Sequence, residues 1–349
     1  MERLRAALHN DLPMLYELAK DFNTTNLPAN KSKIEQLIEV GLKSFDIHHP
    51  SKARRFFFVL ESQDKIQGCC QILAQHGTLE RPASYFRLTE RQKYSSILGK
   101  HFRHQTLELI FDYDGPTELG GLLVARSLRG HPQKFGRFLS YARLAFVGAN
   151  RQWFQDQIIA ELLPALGPDG QSDLWPYLGA RFTGLDYQTA DKLSSEHIHF
   201  ISDLFPHAPL YTALLPEEVR LKLGVVGPKS KPAAHLLNKV GFTFDQTIDP
   251  FDGGPTYRVK TSQCAIVQHT HQWTLANEPC PDHIEAKLGV LIINENSADT
   301  CSIFQCLGTT FNEKIWIAPW KDSELDSKEF DLLKSQYHGS SVYFSPYPI

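Results

Sequence analysis

Residues 117–147, TELGGLLVARSLRGHPQKFGRFLSYARLAFV, hold the reading from which the rest of the chain is understood. Glu118 to Ala125 has the apolar content of a strand. A loop of Arg, Gly, His, Pro and Lys comes next, and then Phe138, Leu139, Ala142, Ala145 and Phe146 recur at helical spacing. A strand that runs through a basic, glycine-bearing loop into a helix presents consecutive backbone N–H groups and a positive dipole end to a phosphate. Arg129, Lys134 and Arg137 add charge at that place. Read by itself, the stretch is equally an ordinary strand, loop and helix with solvated basic side chains, so its neighbours must decide.

The chain has 349 residues, 42% hydrophobic and 21% charged, with a net charge of −3. That is ordinary for a globular protein and long enough for one large domain or two. With no excess of basic residues, no nucleic-acid partner is expected, and any anion site must be local. The cysteines, at 69, 70, 264, 280, 301 and 306, form no C-x-x-C pair, and the simplest reading is a reducing compartment. Met1 to Lys20 lacks the apolar core of a signal peptide, and no window approaches the ~20 apolar residues of a membrane span. These features point to the cytoplasm and away from a membrane.

Working outward, Glu2 to Leu8 alternates as a short strand, and Asn10-Asp11-Leu12-Pro13 caps a helix over Met14 to Lys20. Leu27-Pro28-Ala29-Asn30 forms a loop before a second helix with Ile34, Leu37, Ile38 and Leu42 on one side. Asn23, Thr24, Thr25, Asn26 and Asn30 make the loop region polar enough to face a ligand, although caps and turns are the commoner use of such residues. Arg54 to Glu61 and Ile66 to Gln75 read as a buried β-hairpin, and Thr106 to Tyr113 as a further strand. Ser172 is placed to cap a helix running to Arg181. Residues 77–105 and 186–226 are read as insertions, the second one helical. Lys231 to Gly241 gives a helix ending in glycine, and a strand leads from Phe242 into Phe251-Asp252-Gly253-Gly254-Pro255-Thr256. From residue 262 short apolar runs between polar turns suggest a small β-rich domain.

Three stretches, in order, resemble the GNAT superfamily of acyl-CoA-dependent N-acyltransferases: Leu4 to Ala7 with Asp11-Leu12-Pro13, the loop of residues 129–137, and Ala234, Leu237, Gly241 and Phe242, which match an A-x-x-L-x-x-x-G-F motif. A closer resemblance is to the arginine N-succinyltransferase family and its arginine/ornithine succinyltransferase subunits. It is carried by Leu27-Pro28-Ala29-Asn30, Glu118-Leu119, Arg129-Gly130, Trp175 with Leu178-Gly179 and Arg181-Phe182, Pro209 with Tyr211-Thr212, and the FDGGPT stretch. The fold this implies is α/β (α+β), a GNAT-like acyltransferase with a mixed central sheet flanked by helices. It would occupy residues 1–260, with a small β-rich C-terminal domain over 261–349.

The function the resemblance implies is transfer of succinyl from succinyl-CoA to the α-amino group of arginine or ornithine in arginine catabolism. Backbone groups at Leu122, Leu123 and Val124 would face the pantetheine and thioester. Arg129, Gly130, Lys134, Phe135, Gly136 and Arg137 would hold the pyrophosphate, although the glycine expected shortly before Gly136 is replaced within Pro132 to Phe135. Glu118 would accept the proton of the substrate ammonium. Asn30, Asp252, Gly253 and Gly254 are the substrate-side candidates, since a carboxylate on a glycine turn can pair with a guanidinium or ammonium. The family's donor histidine for the departing thiolate falls on Gly227, and the superfamily's donor tyrosine on Asn238, which joins the CoA-contacting set. Tyr211 and His207 are the substitutes for the missing donor. If Gly227 marks the donor position, Gly227→His is expected to raise turnover.

No metal is expected, because His197-x-His199, His269-x-His271 and His101-x-x-His104 lack carboxylates or cysteines at matching spacing. The partners implied are a small-molecule amine, acyl-CoA, and further copies or a paralogous subunit in an oligomer. Two alternatives stay open: an acetyl-CoA-dependent N-acetyltransferase, and a catalytically degenerate GNAT-fold subunit with a structural or regulatory role.

Overall fold

The computed structural model describes residues 2–348 apart from 23, 25, 47, 168–169, 198, 282–283, 296–299 and 321–326. In chain order the strands are β1 (Arg3–Ala6), β2 (Arg55–Ser62), β3 (Lys65–Leu73), β4 (Ala83–Ser95), β5 (Lys100–Asp112), β6 (Thr117–Val124), β7 (Gln157–Glu161) and β8 (Leu210–Tyr211). They continue as β9 (Thr243–Ile248), β10 (Pro255–Lys260), β11 (His271–Leu275), β12 (Lys287–Glu295), β13 (Thr300–Phe311), β14 (Lys314–Ala318) and β15 (Ser341–Pro346). The helices that position the site are α1 (Leu12–Phe22), α2 (Lys31–Lys43) and α3 (Phe135–Ala149). Contacts gather the chain into two compact units, one of Met1–Ala74, Thr117–Asp156 and Lys260–Ile349, the other of Gln75–Pro116 and Gln157–Val259.

In the first unit, β12, β15, β11, β14, β13, β1, β2, β3 and β6 are successive neighbours in a sheet. The β2–β3 hairpin turns at Gln63 and Asp64, whose φ angles of 51° and 57° give the left-handed pair that a tight two-residue turn requires. Strand β2 is buried on both faces, which is why RFFFVLES reads as a continuous apolar run and not as an alternation. Phe57 and Val59 pack with Leu15, Leu18, Ile34 and Ile38 of α1 and α2. Phe56 and Phe58 instead meet Phe146 of α3, with ring centroids 4.9 and 5.1 Å away. The expected N-terminal cap is reassigned: Asp11 accepts from the Leu8 N–H at 2.8 Å and from Arg5 Nη1 at 2.7 Å. Arg5 also grips Glu61 across to β2 and holds its carboxyl down at about 2.

Residues 261–349 are rich in strands, with a helix over Ser327–Tyr337 added. The chain passes from one unit to the other between Val259 and Lys260, and Lys260–Ile349 clusters with the N-terminal residues. The cause is a pairing distant in sequence: β13 runs antiparallel to β1, with Leu4 opposite Ile303 and Arg5 opposite Ser302. It closes what would otherwise be an open strand edge.

In the second unit, β7, β10, β9, β4, β5 and β8 are successive neighbours. Strands β4 and β5 form one long hairpin, in register from Ala83 opposite Asp112 to Ser95 opposite Lys100. The strand read from Thr106 therefore begins earlier, at Lys100, and Ala83–Ser95, within the stretch read as an insertion, is its partner strand. Residues 90–94 are exposed on both faces, so they lack the alternation that marks a half-buried strand. The helical reading of 186–226 holds for Tyr187–Glu196, Phe200–Leu204 and Glu217–Arg220. Ser172 accepts from the Leu174 and Trp175 N–H groups, each at 3.1 Å, but the chain then makes a 3-10 turn at Trp175–Tyr177 and only a short helix over Gly179–Thr183. Trp175 stacks flat on Phe251, with centroids 4.9 Å apart, inside a core that includes Phe86, Leu223 and Ile248.

Candidate active site

The chemistry-bearing part of the first unit is a break in the β3–β6 ladder. Cys69 lies opposite Leu123 and Gln71 opposite Gly120, so two steps on β3 span three on β6 and one residue bulges out. Gly121 absorbs the kink with φ +56°, and a Cβ there would stand 3.0 Å from Gln71 Nε2. Gln71 is held on both sides: its Nε2 donates to the Asn26 carbonyl at 2.7 Å, and its Oε1 accepts from Arg55 Nε at 2.9 Å. A bulge of this kind turns backbone groups of the bent strand out of the ladder, where they can serve a ligand.

Glu118 is buried at 9% exposure just before the bulge. The point where a Cβ would stand on Gly120 is 3.2 Å from Glu118 Oε1 and 3.7 Å from Asn26 Oδ1, so the two side chains converge there. Behind them Arg143 of α3, 5% exposed, donates from Nη1 to the Gly120 carbonyl at 3.0 Å. Burial pulls the Arg143 guanidinium down from its ordinary value, while Cys70 and Glu118 act in the opposite sense. Neither Arg143 nor Gln71 is singled out by the sequence reading. A signal existed for the first: Arg143 interrupts the run FLSYA-LAFV on a helix that is otherwise apolar or small around it.

From β6 the chain passes through a 3-10 turn at Arg126–Leu128 into α3. Arg129 stacks over the Phe22 ring at 5.5 Å, His131 lies on Phe135 at 5.0 Å, and Gly130 takes φ +78°. Lys134 precedes α3 at φ 52° and ψ 54°. That is a left-handed conformation, which ordinarily favours glycine, in the segment where the sequence lacks the expected one. A Cβ on Gly136 would meet nothing within 4 Å, which leaves the first turn of α3 open to an anion. Arg137, expected to face that anion, has its guanidinium carbon 4.7 Å from the Tyr347 ring centre and 5.6 Å from that of Trp320. The exposed Lys134 and Arg129 are the cations left for the loop.

A non-glycine residue in the left-handed region costs roughly 1–2 kcal/mol. Lys134→Gly is therefore expected to raise unfolding stability by about 1 kcal/mol, read as a higher urea midpoint with unchanged slope. An unchanged midpoint would mean that the Lys134 side chain makes contacts worth as much as the strain.

Asn30 serves α2, its Oδ1 accepting from the Lys33 N–H at 3.1 Å, so the structure gives it the work of a helix cap. Asn23 and Thr25 of the same polar loop lie outside the described residues.

Tyr211, His207, Asn238, Asp252, Gly253 and Gly254 belong to the second unit. Asp252 Oδ1 accepts from the Gly254 N–H at 2.7 Å, and Gly253 turns the chain at φ +76°. Asp249 Oδ1 takes the Phe251 and Asp252 N–H groups at 2.7 and 3.0 Å. Burial, and then the neighbouring Asp249, pushes the Asp252 carboxyl up to about 8, with Glu161 and Asp191 adding to the effect. Four carboxyls thus crowd one turn, an arrangement that a guanidinium or ammonium would relieve. The cavity beside Asp252, lined by Asp173, Lys222 and Leu223 among others, is only about 10 Å³, room for about one water.

Tyr211 stands with its ring 5.7 Å from that of His104, and His207 6.3 Å from Phe111. The exposed Asn238 lends its carbonyl to the Gly241 N–H at the end of the Lys231–Lys239 helix. At Gly227 a Cβ would lie 2.3 Å from the Pro164 carbonyl oxygen and 2.8 Å from the Ala165 nitrogen. A histidine therefore has no room there, which overturns the expectation that Gly227→His would raise turnover. Among the described residues, no group of three His, Cys, Asp or Glu could hold a metal ion.

Residues 2–266 match the family model described as arginine N-succinyltransferase beta subunit. Proteins named arginine N-succinyltransferase from Salmonella schwarzengrund (strain CVM19633) and Salmonella paratyphi B are each 32% identical over 302 residues, spanning 85% of this chain and 86% of theirs. Arginine/ornithine succinyltransferase subunit AI from Pseudomonas aeruginosa superposes with a TM-score of 0.77 at 25% identity, covering 99% of this chain and 98% of its own.

Proposed function

The chain belongs to the arginine N-succinyltransferase family, and on that premise we propose the way in which its residues carry out the transfer. It is an N-acyltransferase that uses an acyl-CoA donor. Succinyl-CoA is the donor we assign, with the α-amino group of arginine as acceptor. The observation that carries the mechanism is the Gly120–Gly121 bulge, with Glu118 on one side and the open first turn of α3 further along the same chain segment.

Backbone groups of Leu122 to Val124 hold the pantetheine arm. The N–H groups at the start of α3, with Lys134 and Arg129, receive the pyrophosphate. Glu118 takes the proton that the substrate ammonium must lose, directly or through a water, before its nitrogen attacks the thioester carbon. N–H groups freed by the bulge stabilise the negative oxygen of the tetrahedral species. The nitrogen loses its second proton to solvent as the C–S bond breaks, and the thiolate takes a proton from solvent. A thiol of pKa about 8.5 is a tolerable leaving group without a donor, and Gly227 provides none.

Asp252 is assigned to recognition of the cationic substrate. Asp252→Asn keeps an oxygen for the Gly254 N–H and removes the negative charge that the raised carboxyl takes on when a cation binds beside it. It is expected to raise the arginine KM about tenfold, the order of one charge-assisted hydrogen bond, with little effect on CoA affinity. If arginine KM is unchanged, Asp252 serves the turn alone.

Among the described residues no helix is long and apolar enough to cross a membrane. We place the enzyme in the cytoplasm, assembled with further copies or a paralogous subunit. The function is tested by offering arginine, ornithine and other amines with succinyl- and acetyl-CoA, and weighing the products. Succinylarginine as the main product supports the assignment. An acetylated product would move the protein to the acetyltransferase reading, and absence of any transfer would leave it a degenerate subunit.

A further inference from the structure

The β4–β5 hairpin continues well beyond the sheet that holds it. Strand β9 pairs with β4 only at Phe86 and Arg87, and β8 pairs with β5 only at Thr106 and Leu107. From there to Ser95 opposite Lys100 the two strands have only each other among the described strands. At about 3.4 Å per residue this is a two-stranded arm roughly 20 Å long, and a ribbon of that kind is marginal in water by itself. Its end is apolar and open to solvent: Ile97 is 94% exposed, Leu98 61%, Tyr94 60% and Phe102 37%.

We propose that this arm is an assembly element that docks on the body of a second copy of the same chain, each copy clasping the other. The proposal rests on the reading that the protein works as an oligomer and names the surface that makes it one. Charge supports this occupant. Between Glu90 and Glu108 the arm carries Arg91, Lys93, Lys100 and Arg103 against those two glutamates, a net +2 in a chain of net −3, so the remainder carries −5. Arg91 and Arg103 are paired within the arm, to Glu108 and Glu90, and Lys93 lies over the Tyr211 ring at 5.9 Å, which leaves Lys100 as the cation beside the apolar end.

Two arms laid edge to edge would therefore repel, whereas an arm on the acidic body of its partner is attracted. A complementary segment exists in the same unit: Leu214 and Leu221, 83% and 70% exposed, bracket the exposed Glu217, Glu218 and Arg220, which leave it one negative charge. A lipid surface suits the arm less well, because the open outer edges of both strands would leave backbone N–H and C=O groups unpaired in hydrocarbon.

The test is the mass of the full chain by light scattering, for wild type and for Ile97→Asp with Leu98→Asp. Both positions are exposed within the chain, so the variant should still unfold cooperatively, at a midpoint lower only by what the lost association supplied. Wild type is expected at twice the 39.6-kDa chain mass or more, and the variant at the single-chain mass. Reversing Lys93 and Lys100 to Glu should weaken association, and combining that with Glu217→Lys and Glu218→Lys should restore it. An oligomer that persists in the Asp variant overturns the arm and leaves the oligomer reading standing. A wild type that is monomeric at ~100 µM overturns both. Co-sedimentation of wild type, but not the variant, with phosphatidylglycerol vesicles, without any change of mass between the two, would assign the arm to a membrane surface instead.

Discussion

Glu118→Gln is expected to lower kcat by about 10²–10⁴-fold, the usual worth of a positioned general base. Its thermal midpoint and CoA affinity should stay near those of wild type. The carboxyl is buried beside the bulge, within reach of the same point on Gly120 as Asn26 Oδ1, and glutamine keeps the shape while losing the ability to take a proton. A loss confined to kcat would locate the residue in the chemical step. The effect should also be smaller for an amine already deprotonated at the assay pH, because less proton transfer is then required. A variant within threefold of wild type would reduce Glu118 to shaping the strand. The same assay applied to Arg143→Met would then show whether the Gly120 carbonyl must be held: that variant is expected to lose stability as well, since it leaves a buried acceptor without its donor.

Gly227→His is expected to destabilise the protein by about 3 kcal/mol or more and to give no gain in turnover, although the family resemblance places a donor histidine there. The obstacle is backbone. A Cβ would stand 2.3 Å from the Pro164 carbonyl oxygen and 2.4 Å from its carbon, and the Gly227 N–H is itself tied to the Leu163 carbonyl at 3.0 Å. Two segments pressed together in this way cannot part by a rotamer change, and overpacking of this kind typically costs 1–3 kcal/mol, more when backbone must move. Gly227→Ala should show much of the same loss, because the clash begins at the first side-chain carbon. If Gly227→His melts with wild type and turns over faster, the 164 and 227 segments separate readily and the donor reading regains its place. If it melts early while the folded fraction transfers succinyl at the wild-type rate, the thiolate leaves unaided.

The first unit is largely legible in the sequence because its signals are local. A continuous apolar run marks β2, an Asp-bearing turn marks the hairpin, and the passage from strand through basic loop to helix is visible in residues 117–147. The missing loop glycine is visible too, but only the backbone shows that Lys134 in that segment is left-handed. Arg137 illustrates the opposite limit. Its position at a helix start predicts a phosphate contact, yet its guanidinium lies against Tyr347 and Trp320, residues about two hundred positions away. The arm escapes for a different reason, since a strand exposed on both faces leaves no periodic trace.

The sequence by itself determined the family and most elements of the first unit, and it marked the strand, basic loop and helix proposed to receive the acyl donor, because each depends on residues close together in the chain. Tertiary structure alone decided which side chains surround the bulge. Gln71 of β3, Asn26 of the loop after α1, Glu118 of β6 and Arg143 of α3 meet only when β3 and β6 pair with one residue unmatched. It also decided that residues 260–349 join the N-terminal unit through β1 and β13, and that Gly227 has no room for a side chain. Pairing register and close packing are set by free energies summed over distant contacts, and no local window of sequence contains those contacts.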